Sequence, residues 1–254
     1  STALLDKAYL RGRAQSIRFD RSMGFAQPGE FGLDRKSSSA AEGKGTTQIT
    51  IVDAQGNVVS MTSSIESAMG SFRMTHGFLL NNQLTDFSTV PGDASGPIAN
   101  RLEPGKRPRS SMAPTWVFRT EDDGSMGDFV LATGSPGGPA IIQYVIKTLV
   151  GVLDWEMSAQ QATSMVDFGA ANGATTYVGG EHPHIRAKAS STEAGSEGDA
   201  LLADLRAKGH RVNTAAQISG VATIVKTRHQ GQWVLEGGAD PRREGIALGD
   251  ALLH

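Results

Sequence analysis

Gly43-Lys44-Gly45-Thr46-Thr47-Gln48-Ile49-Thr50-Ile51-Val52-Asp53 runs a glycine-flexed approach straight into a threonine that opens a β-rich segment. A threonine in that position can act as a self-cleaving nucleophile. Its hydroxyl is weak unless a base stands beside it, and the nearest base is the threonine's own α-amino group, freed when the preceding peptide bond is cut. An α-amino pKa of about 8 suits proton transfer near neutrality. Taken alone, Gly-Thr-Thr before a strand is equally an ordinary loop end.

Working outward, Asp53-Ala54-Gln55-Gly56-Asn57 followed by Val58-Val59-Ser60-Met61-Thr62 predicts a hairpin whose second strand returns past Thr46. A second pair is expected from Thr115-Trp116-Val117-Phe118 and Phe129-Val130-Leu131-Ala132 about the polar turn Glu121-Asp122-Asp123-Gly124. A third is Val221-Ala222-Thr223-Ile224-Val225 with Gln232-Trp233-Val234-Leu235. Ile141, Ile142, Val145, Ile146, Leu149 and Val150 repeat at helical spacing directly after Gly137-Gly138. Ser158 with Gln161 forms a capping-box start for a helix through Ala162 and Met165, and Leu201 to Lys208 closed by Gly209 reads as another. Antiparallel hairpins with separate helices give an α+β class. On the N-terminal side, Leu4, Leu5, Ala8 and Leu10 suit a short amphipathic helix, and Met23 to Gly45, with Gly24, Pro28, Gly29, Gly32 and Ser37-Ser38-Ser39, reads as an exposed linker.

With 254 residues, 39% hydrophobic and 20% charged, the chain can bury a sizeable core in one or two domains. A net charge of -2 gives no reason to expect nucleic acid or an anionic membrane as partner. The absence of cysteine removes disulfides, thiolate metal sites and cysteine nucleophiles. No run reaches membrane-spanning length, and Ser1-Thr2-Ala3-Leu4-Leu5-Asp6-Lys7 is not a signal peptide. His182-Pro183-His184 lacks a third ligand at usual spacing and is expected to be a surface loop, so no metal or other cofactor is expected.

Four further segments carry more polar or glycine specificity than a core needs. They are Ser63-Ser64-Ile65-Glu66, Asn81-Asn82-Gln83-Leu84-Thr85-Asp86-Phe87, Arg107-Pro108-Arg109-Ser110-Ser111-Met112 and Thr133-Gly134-Ser135-Pro136-Gly137-Gly138. By residue chemistry alone, the last is a helix-start turn or a phosphate loop lacking the Gly-Lys-Ser/Thr ending. Taken in order with Thr46-Thr47 and the ending Gly237-Gly238-Ala239-Asp240-Pro241-Arg242-Arg243, they resemble the small subunit of γ-glutamyltransferase (γ-glutamyltranspeptidase), a family of N-terminal-nucleophile hydrolases.

The resemblance implies an αββα sandwich of which this chain holds the small-subunit portion. Residues 1–45 would be the tail of the large subunit plus the linker to the cleavage site, and 46–254 the small-subunit catalytic domain. Thr46 would be both autoprocessing residue and nucleophile, with Ser64 orienting it. Gly137 and Gly138 would hold the oxyanion on backbone N–H groups, a contribution of about 3 kcal/mol for one donor. Gln83 and Asp86 would grip the substrate's α-amino group, and Ser110 and Ser111 its α-carboxylate, with Arg107 and Arg109 read as a solvated basic loop. Glu66 stands where many members have asparagine, and Thr85 replaces a common acidic residue, so the acyl preference is open. The implied partners are a glutathione-like γ-glutamyl substrate, water or an amino-acid acceptor, and the large subunit of the same precursor. The implied reaction is γ-glutamyl transfer or hydrolysis; the alternatives are a glutaryl or cephalosporin-type acylase and an uncleaved, catalytically silent fragment or noncatalytic binding homologue. The family favours a periplasmic home over a cytoplasmic one.

Overall fold

The computed structural model describes residues 2–29, 45–94, 96–186 and 197–249. The chain forms two compact units, residues 35–167 with 218–254, and residues 1–34 with 168–217.

The larger unit carries Thr46 and the four polar or glycine-rich segments, and its main elements are numbered here in chain order. Strand β1 (Thr46–Val52) pairs antiparallel with β2 (Val58–Ser64), placing Thr46 opposite Ser64 and Ile49 opposite Met61. The turn is closed by Asp53, whose Oδ1 accepts from the N–H groups of Gln55 (2.9 Å) and Asn57 (2.8 Å). Strands β3 (Thr115–Thr120), β4 (Met126–Gly134), β5 (Ala222–His229) and β6 (Gln232–Ala239) form one antiparallel sheet in the order β6-β5-β4-β3. Helix α1 spans Ile141–Leu153 and α2 spans Ala159–Ser164, the latter started by the Ser158–Gln161 capping box.

Neighbouring residues of β4 point to opposite faces of the sheet. Leu131 packs with Val225 against Ala159, Leu149 and Val152 of the helix layer. Gly134 instead faces the hairpin: a Cβ there would strike the Gln48 side chain. The unit is therefore layered helix, sheet, hairpin, with β4 buried between them. The hairpin turns a polar side inward. Thr50 Oγ1 donates to the Ala222 carbonyl (3.0 Å) and Ser60 Oγ to the Thr133 carbonyl (2.9 Å), while Ile49, Ile51, Val59 and Met61 lie exposed on its outer side.

Under the helix layer lies a buried ionic network. Lys147 Nζ of α1 is 2.7 Å from Asp167 Oδ1, Arg242 Nε is 3.2 Å from Asp167 Oδ2, and Arg242 Nη1 is 2.9 Å from Asp240 Oδ1. Asp240 Oδ2 also accepts from Ser219 Oγ (2.5 Å) and the Val221 N–H (3.2 Å). Desolvation pushes the Lys147 ammonium below its ordinary pKa, and the Asp167 charge opposes that shift.

The smaller unit holds the helix Lys7–Ala14, anticipated from its apolar positions, and a three-stranded sheet that was not. In it Thr175–Gly179 pairs in parallel with Arg211–Ala215, joined through the helix Glu197–Ala207, so the chain is not antiparallel throughout. His182 and His184 stand at the one-turn helix Pro183–Arg186 rather than in a loop, their rings edge to face. The linker expected over Met23 to Gly45 falls largely on residues 30–44, outside the described residues. No helix among the described residues is long and apolar enough to cross a membrane.

Candidate active site

The hairpin register brings the first two candidate residues together. Thr46 and Ser64 are cross-strand partners, and Thr46 Oγ1 donates to Ser64 Oγ at 2.9 Å. Immediately after Ser64 the chain bends out of the ladder: Glu66 has φ of +72°, and its N–H donates back to Ser64 Oγ at 2.9 Å. A positive φ at a non-glycine residue is costly and is held here by that hydrogen bond. The bend turns Glu66, 7% exposed, into the site beside Thr46.

Gln83 to Asp86 form a single 3-10 turn. Gln83 Nε2 reaches Glu66 Oε2 at 3.4 Å and also bonds Asp86 Oδ2, so one amide joins two buried carboxylates. Asp86 Oδ1 is buried with no hydrogen-bond partner among the described residues. A buried, unsatisfied carboxylate oxygen is costly, and a cationic donor would relieve it. Asn100 secures this turn from behind. Its Nδ2 donates to the Asp86 carbonyl (2.5 Å) and its Oδ1 accepts from the Arg109 N–H (3.0 Å), tying the turn to the loop that carries Ser110 and Ser111. Ser110 Oγ accepts from the Met112 N–H at 3.1 Å, which fixes that loop locally. Arg107 is exposed, whereas Arg109 is half-buried rather than solvated.

The glycine pair lies between β4 and α1. Gly137 has φ of +138° and Gly138 φ of +57°. A Cβ on Gly137 would collide with the buried Tyr144 ring, so both backbone angle and space require glycine there. Gly138 begins a 3-10 turn, Gly138–Ala140, that runs into α1, where leading N–H groups have no intrahelical partner.

Thr46, Ser64, Glu66, Gln83, Asp86, Ser110, Ser111 and Gly138 line one small cleft. Gly137 sits one residue behind it. Met112 and Ile141 complete the lining and were not singled out from the sequence, nor was Asn100. Met112 and Ile141 read as ordinary apolar residues, and an isolated loop asparagine carries no pattern to find it by. A hydroxyl pair, two buried carboxylates and a glycine turn leading into a helix meet at one cleft, an arrangement that acyl-transfer chemistry can use.

Residues 1–250 match the family described as Gamma-glutamyltranspeptidase. The chain belongs to that family. It is 30% identical over 260 residues to the glutathione hydrolase proenzyme of Bacillus subtilis strain 168, covering 97% of this chain and 39% of that protein. It is also 32% identical over 161 residues to the Acylase ACY 1 proenzyme of Pseudomonas sp. strain V22, covering 63% of this chain and 25% of that one. Among solved structures, a variant of Helicobacter pylori gamma-glutamyltranspeptidase superposes with a TM-score of 0.62 at 29% identity, over 78% of this chain and 100% of that chain. The fold is accordingly that of the gamma-glutamyltranspeptidase type of N-terminal-nucleophile hydrolase, a family of enzymes. The chain spans less than half the length of these curated relatives.

Proposed function

We propose that the protein is a γ-glutamyl hydrolase or transferase acting on glutathione-like donors through Thr46, after self-cleavage between Gly45 and Thr46. The observation that carries this reading is the acidic subsite facing the Thr46–Ser64 hydroxyl pair, with Asp86 Oδ1 buried and without a partner among the described residues. An acyl donor that brings an α-ammonium group supplies the missing donor and a countercharge for Glu66 and Asp86. A glutaryl donor, lacking that ammonium, brings no cationic donor to Asp86 Oδ1. The acylase relative keeps a second reading in play, in which the same nucleophile takes a different acyl group.

In the proposed cycle the freed Thr46 amine takes the hydroxyl proton as Oγ1 attacks the γ-carbonyl. The oxyanion forms against the backbone N–H groups of Gly137 and Gly138, and Ser110 and Ser111 hold the α-carboxylate. The leaving amine takes the proton, and water or an amino acid then accepts the acyl group. The exposed apolar side of the hairpin, Ile49, Ile51, Val59 and Met61, is the face we assign to the large-subunit part of the precursor.

The test begins with the complete precursor. Wild type splits into two bands, the smaller beginning at Thr46 by mass, and Thr46→Ala stays whole; a wild type that never splits points to a silent homologue. Cleaved enzyme releases p-nitroaniline from the γ-glutamyl anilide in preference to the glutaryl anilide. The reverse preference establishes the acylase reading.

A further inference from the structure

The carbonyl that Thr46 must attack during self-cleavage is already held by a donor. Gly45 O accepts from the Ile65 N–H at 2.9 Å, and the Gly45 N–H donates to the Glu66 carbonyl at 2.8 Å. Ile65 and Glu66 thus stand opposite the single residue Gly45, the two-against-one arrangement of a bulge directly beyond the Thr46–Ser64 pair. The same bend that swings Glu66 into the cleft therefore leaves the Ile65 N–H aimed at the scissile peptide.

Resting on the self-cleavage reading above, we propose that the Ile65 backbone N–H is the oxyanion donor for self-cleavage, distinct from the glycine pair assigned to substrate turnover. In this step Thr46 Oγ1 bonds to the Gly45 carbonyl carbon, and the carbonyl electrons move to Gly45 O, where the Ile65 N–H stabilises the charge. The Gly45 C–Thr46 N bond then breaks, and the hydroxyl proton ends on the departing nitrogen. Water hydrolyses the resulting ester, returning a proton to Oγ1 and leaving Gly45 with a free carboxylate. A hydrogen bond to a neutral carbonyl strengthens as the oxygen becomes anionic, so a donor present before attack still favours the transition state. Ser64 Oγ, bonded to both Thr46 Oγ1 and the Glu66 N–H, locks the attacking hydroxyl to the same bend.

The geometry also gives Gly45 a reason to be glycine. A Cβ at this position would lie 2.6 Å from the Ser67 carbonyl oxygen, 2.9 Å from Ile65 Cγ1 and 3.1 Å from the Glu66 carbonyl oxygen. Each of these belongs to the bend that presents the donor. A side chain at 45 would push the scissile carbonyl off the Ile65 N–H, which makes Gly45 a positioning residue for self-cleavage.

The test replaces Ile65 in the complete precursor by its α-hydroxy acid, which removes the N–H and keeps the side chain. A control precursor carries the hydroxy acid of Leu80, deleting the N–H bonded to the Arg73 carbonyl at 2.8 Å in the same unit. The rate of band splitting is followed for both. The Ile65 replacement is expected to slow splitting about a hundredfold, the loss typical of one oxyanion donor, with the Leu80 control close to wild type. Gly45→Ala is expected to slow splitting as well, and wild-type splitting in that variant would remove its positioning role. Equal rates for the Ile65 replacement and wild type, or equal slowing in the control, would overturn the proposal while leaving Thr46-dependent self-cleavage standing. A wild type that does not split, or a Thr46→Ala chain that does, removes the self-cleavage reading and this one with it.

Discussion

The acidic subsite concentrates its demands on one residue. Asp86 is 2% exposed, one oxygen bonded by Gln83 and the other without a partner among the described residues. Hydrogen bonds to charged groups contribute about 1.5–3 kcal/mol, so Asp86→Asn should weaken binding of a γ-glutamyl donor by about 10- to 100-fold. The loss should fall on KM in assays of the cleaved enzyme with the γ-glutamyl anilide, and a glutaryl anilide should be affected far less. Equal losses on both donors would remove Asp86 from the ammonium site. Thr46, Ser64, Asp86 and Gly138, which the fold gathers at one cleft, stood out in the sequence because each falls within a short run of unusual residues. Asn100 was not legible, since its importance comes from joining the Asp86 carbonyl to the Arg109 N–H across a fold-dependent gap.

The hairpin of β1 and β2 depends on Asp53 at its turn. The Asn57 side chain, with backbone N–H donors, holds this carboxyl below its ordinary pKa of 3.8. A carboxylate with a depressed folded-state pKa adds stability that is fully present above 3.8 and is lost as pH falls through the lower folded value. NMR titration should therefore show Asp53 ionising below 3.8, and Asp53→Ala should lower the thermal midpoint at pH 7 but no longer do so in strong acid. Gly137 makes a harsher prediction: at φ of +138° against the Tyr144 ring, Gly137→Ala should cost about 1–3 kcal/mol of backbone strain and distort the turn, read as a lowered urea midpoint with loss of anilide turnover. The hairpin was readable because a turn signal sits between two β-rich runs. Which of its sides faces inward was not, since alternation defines two faces without ranking them, and here the polar one is buried by bonds to the Ala222 and Thr133 carbonyls. The parallel pair Thr175–Gly179 and Arg211–Ala215 was missed because its partners are distant in sequence and no hairpin turn joins them.

At the scale of the larger unit, the glycine turn is only as fixed as the helix it enters, and that helix is anchored by charge as well as by apolar packing. Lys147 projects from the buried face of α1 into Asp167, which also meets Arg242, and Arg242 meets Asp240 just past β6. Nothing in the apolar spacing of α1 announces this role, because the partners come from chain segments that only folding brings together. Breaking one partner of a buried pair exposes the other to an uncompensated site, a loss of about 3–5 kcal/mol. Lys147→Met should approach the lower end of that range, since Asp167 keeps Arg242, and adding Asp167→Leu should recover much of it while Arg242 keeps Asp240. The pH dependence gives an independent signature. Burial holds the folded Lys147 pKa below 10.5, so between that lowered value and 10.5 the unfolded chain binds the proton more than the folded chain does. Stability contributed at this site therefore rises with pH across that window, and urea titrations should show the rise in wild type and its absence in Lys147→Met. An unchanged slope in the variant would mean that the Lys147 ammonium is not desolvated as its contacts with Asp167 and the Met165 carbonyl require.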